Sequence, residues 1–242
     1  MTFLDIHAHI LPAVDDGAAD IETAVRLLEM LKDQGVTDVI ATPHFYPDSD
    51  NAEDFAELVQ ESYKTLKNEV EHRELPRVFL GCELRYFNGM GKSSAIKQFV
   101  ISGTNYLLLE LPYGEKITKT TLQDIIDISE RQGLTPILAH IERYSKVPGY
   151  KQLLKLIANG YALAHINAGG IVSKESVRIC EKLIKRGYVS YIASDTHSPD
   201  RRPPQISMAL QITNERMGKS VANRFIIKSN RLLEEIEAAN EQ

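Results

Sequence analysis

Residues 133–140, with the sequence GLTPILAH, combine a glycine that ends a helical pattern, a short apolar run and a terminal histidine. The glycine and the apolar run recur at residues 160–167 (GYALAHIN) and 187–194 (GYVSYIAS), at a regular interval of 27 residues, with Asn167 and Ser194 at the place of the histidine. Glycine commonly follows the last turn of a helix, and a continuous apolar run is typical of a parallel strand buried on both faces. The recurrence therefore predicts successive helix–strand units of one barrel.

Seven short apolar runs along the chain are strand candidates, and helical patterns lie between them. The strand candidates are residues 3–9, 36–42, 77–84, 106–111, 135–140, 162–167 and 189–194. Asp20 is a suitable N-cap for the first helix, and Gly35 is a suitable end. A C-terminal helical region, about residues 204–240, is predicted to break near Gly218 and Ser229. No linker or shift in composition interrupts the chain, which predicts a single α/β domain over residues 1–242.

The composition narrows the class of protein. The chain has 242 residues, of which 43% are hydrophobic, and this excludes an intrinsically disordered chain. No run approaches the roughly 18 apolar residues of a transmembrane helix, and residues 1–7 lack the basic and apolar regions of a signal peptide. Only two cysteines are present, and the net charge of −5 disfavours a nucleic-acid partner. We therefore expect a cytoplasmic protein without direct membrane insertion, and its oligomeric state stays open.

The polar residues fall at the carboxyl ends of the predicted strands, where ligands bind in parallel α/β folds. Six of the seven histidines lie at these ends, and only His72 does not. Acidic residues join them at Glu83, Glu110 and Asp195. So many imidazoles and carboxylates on one rim would desolvate or repel one another without a cation, which predicts a metal centre.

Two short motifs carry the metal prediction. In His7-x-His9, residues i and i+2 of a strand point the same way, so both imidazoles can reach one metal, and Asp195-x-His197 repeats this spacing. The candidate ligands are too many for one ion, which predicts two or three. Histidine and carboxylate ligands suit Mn, Fe and Zn alike, and clustered metals suit phosphoester hydrolysis. The Asp15-Asp16-Gly17 segment fits an Asx turn, and Asp16 is also favoured as a ligand.

Two arginines follow the histidines closely. Arg143 comes three residues after His140, and Arg202 comes five residues after His197. A guanidinium group matches phosphate oxygens in a bidentate geometry, so both are candidates for phosphate binding and for the catalytic machinery. The alternative for each is an ordinary surface arginine.

Several segments together resemble the polymerase-and-histidinol-phosphatase (PHP) superfamily. More narrowly, they resemble the bacterial manganese-dependent protein-tyrosine phosphatases of capsule and exopolysaccharide operons. The matching segments run in order along the chain and are DIHAHILP (5–12), DDGA (15–18), ATPH (41–44), GCELR (81–85), LELP (109–112), HIER (140–143), INAG (166–169), ASDTH (193–197) and RPP (202–204).

The resemblance implies a distorted (β/α)₇ barrel that hydrolyses phosphotyrosine on the tail of a membrane-associated bacterial tyrosine kinase, which regulates polysaccharide synthesis. It implies a trinuclear centre, with manganese the expected metal. One ion is held by His7, His9, Glu83 and Asp195, a second by Glu83, Glu110 and His140, and a third by Asp16, His44 and His197. Arg143 and Arg202 bind the phosphate and are the catalytic residues outside the metal ligands.

The sequence departs from the family pattern at two positions. Ile141 stands where proline is common, and His165 stands where glutamine is common. His165 is expected either to add a polar contact at the rim or to point into the barrel wall.

Two other motifs are better explained without catalysis. Cys180 and Arg186 have the Cys-x₅-Arg spacing of cysteine-dependent phosphatases, but Cys180 lies within an amphipathic helical pattern and is expected in the core. Residues 89–93 (GMGKS) lack the spacing of a phosphate-binding loop, which favours an exposed turn.

Three alternative functions stay open at this stage. The first is a PHP-type phosphatase for histidinol phosphate or another small phosphomonoester. The second is a metal-dependent nuclease, which the acidic charge disfavours. The third is a non-catalytic, metal-bound regulatory subunit.

Overall fold

A computed structural model describes residues 2–240, and all seven predicted strand positions contain a strand. The strands are β1 (Leu4–Ala8), β2 (Asp38–Ala41), β3 (His44–Phe45), β4 (Arg77–Leu80), β5 (Glu83–Arg85), β6 (Tyr106–Glu110), β7 (Thr135–Leu138), β8 (Leu163–Asn167) and β9 (Tyr191–Ala193). Two positions are divided: β2 and β3 form the second, where β3 lies beyond the predicted range 36–42, and β4 and β5 form the third. The interruptions are short and lie beside each other.

Every strand pair in the structure is parallel, as the continuous apolar runs predict. The pairing order is β1-β2-β4 in one sheet and β3-β5-β6-β7-β8-β9 in the other. The backbone of Glu83 donates to the carbonyl of Pro43 (3.0 Å), which continues the ladder across the interruptions. Ala8 pairs with Thr196 beyond β9, so the first and last strand positions meet. The prediction of an α/β fold with a distorted, seven-position barrel is confirmed.

Helices connect the strands and begin and end where local residues favour it. They are α1 (Ile21–Asp33), α2 (Ala52–Val70), α3 (Lys119–Glu130), α4 (Tyr150–Ala158), α5 (Ala168–Val172), α6 (Val177–Lys185), α7 (Ile206–Met217) and α8 (Lys219–Asn240). Asp20 caps α1 as predicted, because its side chain accepts a hydrogen bond from the backbone of Thr23. Gly133, Gly160 and Gly187 all have positive φ angles, which explains why glycine recurs at these helix ends.

A separate apolar cluster joins the strands to α8. Leu4 and Ile6 of β1 pack there with the α8 side chains Leu232, Leu233 and Ile236. All five are 5% exposed or less. The C-terminal helix is thus part of the core of the barrel.

Two local predictions are wrong. The C-terminal region breaks at Gly218 as predicted, but α8 runs without interruption through Ser229, whose hydroxyl donates to the carbonyl of Ile226.

Residues 89–93 are not an exposed turn. Met90 and Gly91 are buried, and the backbone N–H groups of Gly89 and Gly91 donate to Asp124.

Within residues 2–240, no helix is both long enough and apolar enough to cross a bilayer. The extent of the domain stays a prediction, because its stated bounds of 1–242 include residues outside the described range.

Candidate metal centre

The strand ends converge on one cluster that contains all nine predicted metal ligands. His7 and His9 come from the end of β1, His44 from β3, Glu83 from β5 and Glu110 from β6. The loops after β7 and β9 and the loop before α1 supply the remaining members, which are His140, Asp195, His197 and Asp16. Three overlapping groups have their donor atoms within 4.8 Å of one another. They are His7–His9–Glu83–Asp195, His9–Asp16–His44–His197 and His44–Glu83–Glu110.

The first group is fully buried. The Nε2 atoms of His7 and His9 lie 2.9 Å apart, and both face Glu83 Oε2, at 3.1 and 3.3 Å. Asp195 Oδ1 lies 3.5 Å from each of the two Nε2 atoms. Four donor atoms from three strand ends therefore point at a common centre.

Glu83 joins the first group to the rest of the cluster. Its Oε2 atom is 3.0 Å from His44 Nδ1, and its Oε1 atom is 3.1 Å from His140 Nε2. His140 Nε2 is also 3.5 Å from Glu110 Oε1. On the other side of His44, Asp16 Oδ1 lies 3.7 Å from His44 Nε2 and 3.4 Å from His197 Nε2. A carboxylate with both oxygens among imidazoles is suited to bridge two ions.

Two residues outside the predicted ligand set orient the β1 histidines. Asp15 Oδ2 lies 2.6 Å from His9 Nδ1, and His165 Nε2 lies 2.9 Å from His7 Nδ1. When Nδ1 of each of these histidines donates to its partner, the neutral imidazole keeps a lone pair on Nε2 that is directed at the cluster. His165 therefore makes a polar contact and does not simply fill the wall. The sequence analysis missed this role for Asp15, which it placed only in a turn.

The backbone is irregular where it presents the candidate ligands. The pairing register of β1 shifts between Asp5 and Ala8, so that the strand carries one extra residue next to His7. Asp5 supports this bulge by accepting a hydrogen bond from the backbone of Ser194 (2.9 Å). His140 and Asp195 have φ angles of 34° and 52°, which are uncommon for residues other than glycine. Such irregularities are typical of functional sites, where they redirect a side chain.

Both predicted phosphate-binding arginines reach the edge of the cluster. The Nη2 atoms of Arg143 and Arg202 donate to Asp195 Oδ2, at 2.8 and 2.6 Å. Asn167 Nδ2 donates to the same oxygen at 2.5 Å, a contact that the sequence did not indicate. The arginine side chains are 35% and 38% exposed. They are therefore anchored at the cluster yet accessible to a ligand.

The substitution of Ile141 for the common proline leaves Arg143 at the cluster. Ile141 is fully buried in a short 3₁₀ segment, Ile141–Tyr144. The next residue, Glu142, is also buried and accepts a hydrogen bond from the backbone of Asn167 (3.3 Å). These contacts fix the loop that carries Arg143.

Electrostatics hold Glu83 in the ionised state that binds metal, whereas the histidines of the cluster differ in protonation. Burial alone would raise the pKa of Glu83, but His7, His140 and His9 hold it well below its usual value. Burial opposes protonation of His9, but Asp15 and Glu83 raise the pKa of His9 to about 10, so a metal ion would have to displace a proton from this imidazole. At His197, burial and the nearby His9 lower the pKa to about 3, so this imidazole is neutral with a free lone pair.

The residues present fit divalent metal ions. His44 Nδ1 and His197 Nε2 lie close to carboxylate oxygens, yet neither has an aligned hydrogen-bond partner among residues 2–240. A buried nitrogen that lacks a hydrogen-bond partner costs free energy, unless another group such as a metal ion binds its lone pair. Imidazole and carboxylate donors together suit Mn²⁺, Fe²⁺ and Zn²⁺.

The cysteine alternative does not fit the geometry. Cys180 is fully buried inside α6, and burial raises the pKa of its thiol. A reactive thiolate needs a lowered pKa and access to substrate. Cys180 is therefore a core residue, as its helical pattern indicates.

Comparison with known proteins shows the family of this chain. A sequence model described as "Capsular polysaccharide synthesis, CpsB/CapC" matches residues 3–234. The chain belongs to the CpsB/CapC family. The tyrosine-protein phosphatase CpsB of Streptococcus agalactiae serotype III (strain NEM316) is 30% identical over 239 residues, which cover 93% of this chain and 96% of that protein. The putative tyrosine-protein phosphatase CapC of Staphylococcus aureus is 34% identical over 224 residues, covering 90% and 84%.

Solved structures agree with this membership in the CpsB/CapC family. One match comes from the crystal structures of YwqE from Bacillus subtilis and CpsB from Streptococcus pneumoniae, described as unique metal-dependent tyrosine phosphatases. It has a TM-score of 0.83 and 26% identity, and covers 96% of this chain and 94% of the other. Histidinol phosphate phosphatase from Lactococcus lactis matches with a TM-score of 0.53 and 14% identity, covering 99% and 93%, and shows a shared fold only.

Proposed function

We propose that this CpsB/CapC family member is a metal-dependent protein-tyrosine phosphatase, and thus a phosphoric monoester hydrolase. The observation that carries the proposal is the position of Asp195. One oxygen of its carboxylate faces the imidazoles of His7 and His9, and the other binds Arg143 and Arg202. A phosphate beside Asp195 would therefore contact a metal cluster on one side and two guanidinium groups on the other.

The proposed ligands are the nine residues of the cluster, namely His7, His9, Asp16, His44, Glu83, Glu110, His140, Asp195 and His197. Two or three ions would be bound, and manganese is the expected metal, with iron or zinc as alternatives. When bound, such ions lower the pKa of water from about 15.7 towards 7 and neutralise charge on phosphate oxygens. The buried carboxylates, Glu83 above all, balance the positive charge of the ions.

Arg143 and Arg202 are the proposed substrate-binding and catalytic residues. Their guanidinium groups would bind the non-bridging oxygens of the phosphate and stabilise the negative charge that develops there during hydrolysis. Asp195 and Asn167 hold this part of the site together before substrate arrives. The leaving group is a phenolate, whose conjugate acid has a pKa near 10. Cleavage of the phosphate ester of tyrosine therefore needs little help from a general acid.

The proposed substrate is the phosphotyrosyl tail of a membrane-associated bacterial tyrosine kinase, reached from the cytoplasm. Removal of phosphate from such a tail would regulate capsular or exopolysaccharide synthesis. The names of the relatives and of the family support this assignment, since they combine tyrosine phosphatase activity with capsular polysaccharide synthesis.

The test is phosphate release from a phosphotyrosyl peptide by protein that is first treated with a chelator and then supplied with Mn²⁺, Fe²⁺ or Zn²⁺. We expect activity to disappear with the chelator and to return best with Mn²⁺. Cys180→Ser should retain full activity, because Cys180 is buried away from the cluster, whereas Arg202→Ala should lose about 100-fold or more.

Histidinol phosphate serves as the competing substrate in the same assay. A clear preference for histidinol phosphate over the peptide would overturn the assignment as a tyrosine phosphatase and leave the metal centre in place. Failure to hydrolyse either compound, in protein that retains stoichiometric metal, would overturn the phosphatase proposal itself.

A further inference from the structure

A groove with a positive rim lies between α4 and α6, and its lining begins on the loop that carries Arg143. It has a volume of about 460 Å³. Its wall includes the apolar and aromatic side chains of Val147, Leu154, Ile179 and Tyr188, and its rim carries Lys146, Lys151, Lys182 and Arg186. We refer to it as the α4–α6 groove.

The charge of the α4–α6 groove is not balanced locally. All four rim cations are exposed, and none forms an ion pair with another residue in the described part of the chain, 2–240. Neither aspartate nor glutamate is among the described residues that line the groove. The chain as a whole has a net charge of −5, so this concentration of cations runs against its average. Unpaired cations around a groove produce a local positive potential that attracts anions.

The α4–α6 groove begins beside a phosphate-binding candidate. Lys146 follows Arg143 by three residues on the same loop, and an extended chain advances at most about 3.6 Å per residue. Their Cα atoms are therefore at most about 11 Å apart. A peptide whose phosphotyrosine contacts Arg143 would cover this distance with about three residues, since an extended strand rises about 3.3 Å per residue.

A cleft of opposite charge lies on the other side of the metal centre. Its volume is about 450 Å³, and its lining includes Asp16 and His44, which belong to the metal centre, and Asp50 and Asp54, which do not. These residues follow the first and second strand positions, whereas the α4–α6 groove follows the fifth and sixth. In a ring of seven positions the two are on opposite sides. A peptide that crosses the metal centre would thus meet cations at one end and carboxylates at the other.

We propose that the α4–α6 groove binds an acidic stretch of the substrate polypeptide, adjacent to the phosphotyrosine. The inference rests on the proposed function and adds a charge preference to it. Aspartate or glutamate side chains about three residues from the phosphotyrosine pair with the rim cations, while the apolar wall receives their methylene groups. The acidic cleft opposite repels the same side chains, so an acidic stretch is favoured on only one side of the phosphotyrosine.

The test compares three phosphotyrosyl peptides of equal length. One has three glutamates before the phosphotyrosine, one has them after it, and one has glutamines at all of these positions. We expect one of the two acidic peptides to exceed the glutamine peptide in kcat/KM by about tenfold, through a lower KM, because each exposed ion pair contributes modestly. The advantage should shrink at high salt.

Charge-reversed variants test the location. Lys151→Glu combined with Lys182→Glu should abolish the preference, and a matching peptide with lysines should then become the better substrate. The control is Lys155→Glu combined with Lys174→Glu, which changes the net charge equally at exposed positions outside the groove lining. It should leave the preference intact. Hydrolysis of p-nitrophenyl phosphate, which has no peptide, should be unchanged in both variants.

Two results would overturn the inference while leaving the proposed function in place. One is equal kcat/KM for all three peptides with the unmodified protein. The other is an equal loss of preference in the groove variant and in the control variant. Absence of chelator-sensitive hydrolysis of both p-nitrophenyl phosphate and the peptides would instead overturn the proposed function, and the docking role with it.

Discussion

Asp15 lies behind the cluster, and we expect it to control metal affinity without being a ligand. Its carboxylate accepts hydrogen bonds from the backbone of His44 and Gly17 in addition to facing His9 Nδ1. Asp15→Ala removes the group that orients the His9 imidazole, and the loss of such an outer partner typically costs 10–100-fold in metal affinity or activity. Metal titration and kcat of the metal-saturated variant measure the two effects separately.

The Asp15→Asn variant is the matched control for this prediction. Its amide oxygen can still accept from His9 Nδ1 and the His44 backbone, and only the acceptor for Gly17 is lost, so we expect most of the metal affinity to return. Equal losses in the alanine and asparagine variants would show that the negative charge of Asp15, and not its orientation of His9, determines affinity.

His165 allows a similar prediction for His7. Because His165 Nε2 is the partner of His7 Nδ1, we expect His165→Leu to weaken metal binding by about tenfold or more, whereas His165→Gln should retain binding through its amide oxygen. Metal content after extensive dialysis distinguishes the two variants. A His165→Leu variant that retains metal as well as the unmodified protein would contradict this role.

Much of the cluster could be predicted at the scale of single residues, because strand ends are visible in the sequence and parallel strands bring their carboxyl ends together. That logic found His7, His44 and Glu83 although they are far apart in the chain. It could not find the role of Asp15 or Asn167, because a hydrogen bond to a ligand depends on the final orientation of two side chains, and no spacing rule encodes this orientation.

At the scale of secondary structure, β1 shows why an alternating pattern is an incomplete guide. The His7-x-His9 spacing correctly placed both imidazoles together, but the shift of register between Asp5 and Ala8 was not visible in the sequence. A bulge depends on pairing with the neighbouring strand and on Asp5, which binds the backbone of Ser194 in the last strand position, distant in sequence but adjacent in the closed ring. Such long-range support leaves no local signal.

The continuity of α8 has the same explanation. Ser229 resembles a helix breaker because serine often bonds to its own backbone outside helices. In α8 its hydroxyl instead bonds to the preceding turn, and its side chain is buried. Packing of Leu232 and Ile236 into the strand cluster stabilises the helix beyond this point, and tertiary packing therefore overrides the local preference.

We expect α8 to contribute substantially to the stability of the barrel. Ile236 is fully buried among the strands, so Ile236→Ala should lower the free energy of unfolding by about 2–5 kcal/mol. Ile227 lies on the same helix but is 54% exposed. Ile227→Ala should therefore change the free energy of unfolding by about 0.5 kcal/mol or less. Urea unfolding of both variants measures the difference, and equal effects would show that α8 does not stabilise the strands.

At the scale of the whole molecule, the closed order of strands explains why the cluster contains residues from both ends of the chain. Ala8 and Thr196 pair, and this contact brings His7 and His9 next to Asp195 and His197. The cluster can form only when the barrel closes. Metal binding and global folding should therefore be linked, because the unfolded chain cannot present these donors together.

This linkage predicts that metal raises the melting temperature. A ligand that binds only the folded state at 100 times its Kd stabilises it by about 2.7 kcal/mol, which corresponds to about 5–10 °C for a chain of this size. Adding Mn²⁺ to chelator-treated protein should produce a shift of this order in a thermal melt. Glu83→Gln should reduce the shift strongly, since Glu83 contacts four of the histidines in the cluster. His72→Gln, which alters the one histidine outside the strand ends, should retain the full shift. A shift of the same size in the Glu83→Gln variant would mean that Mn²⁺ stabilises the fold from another site.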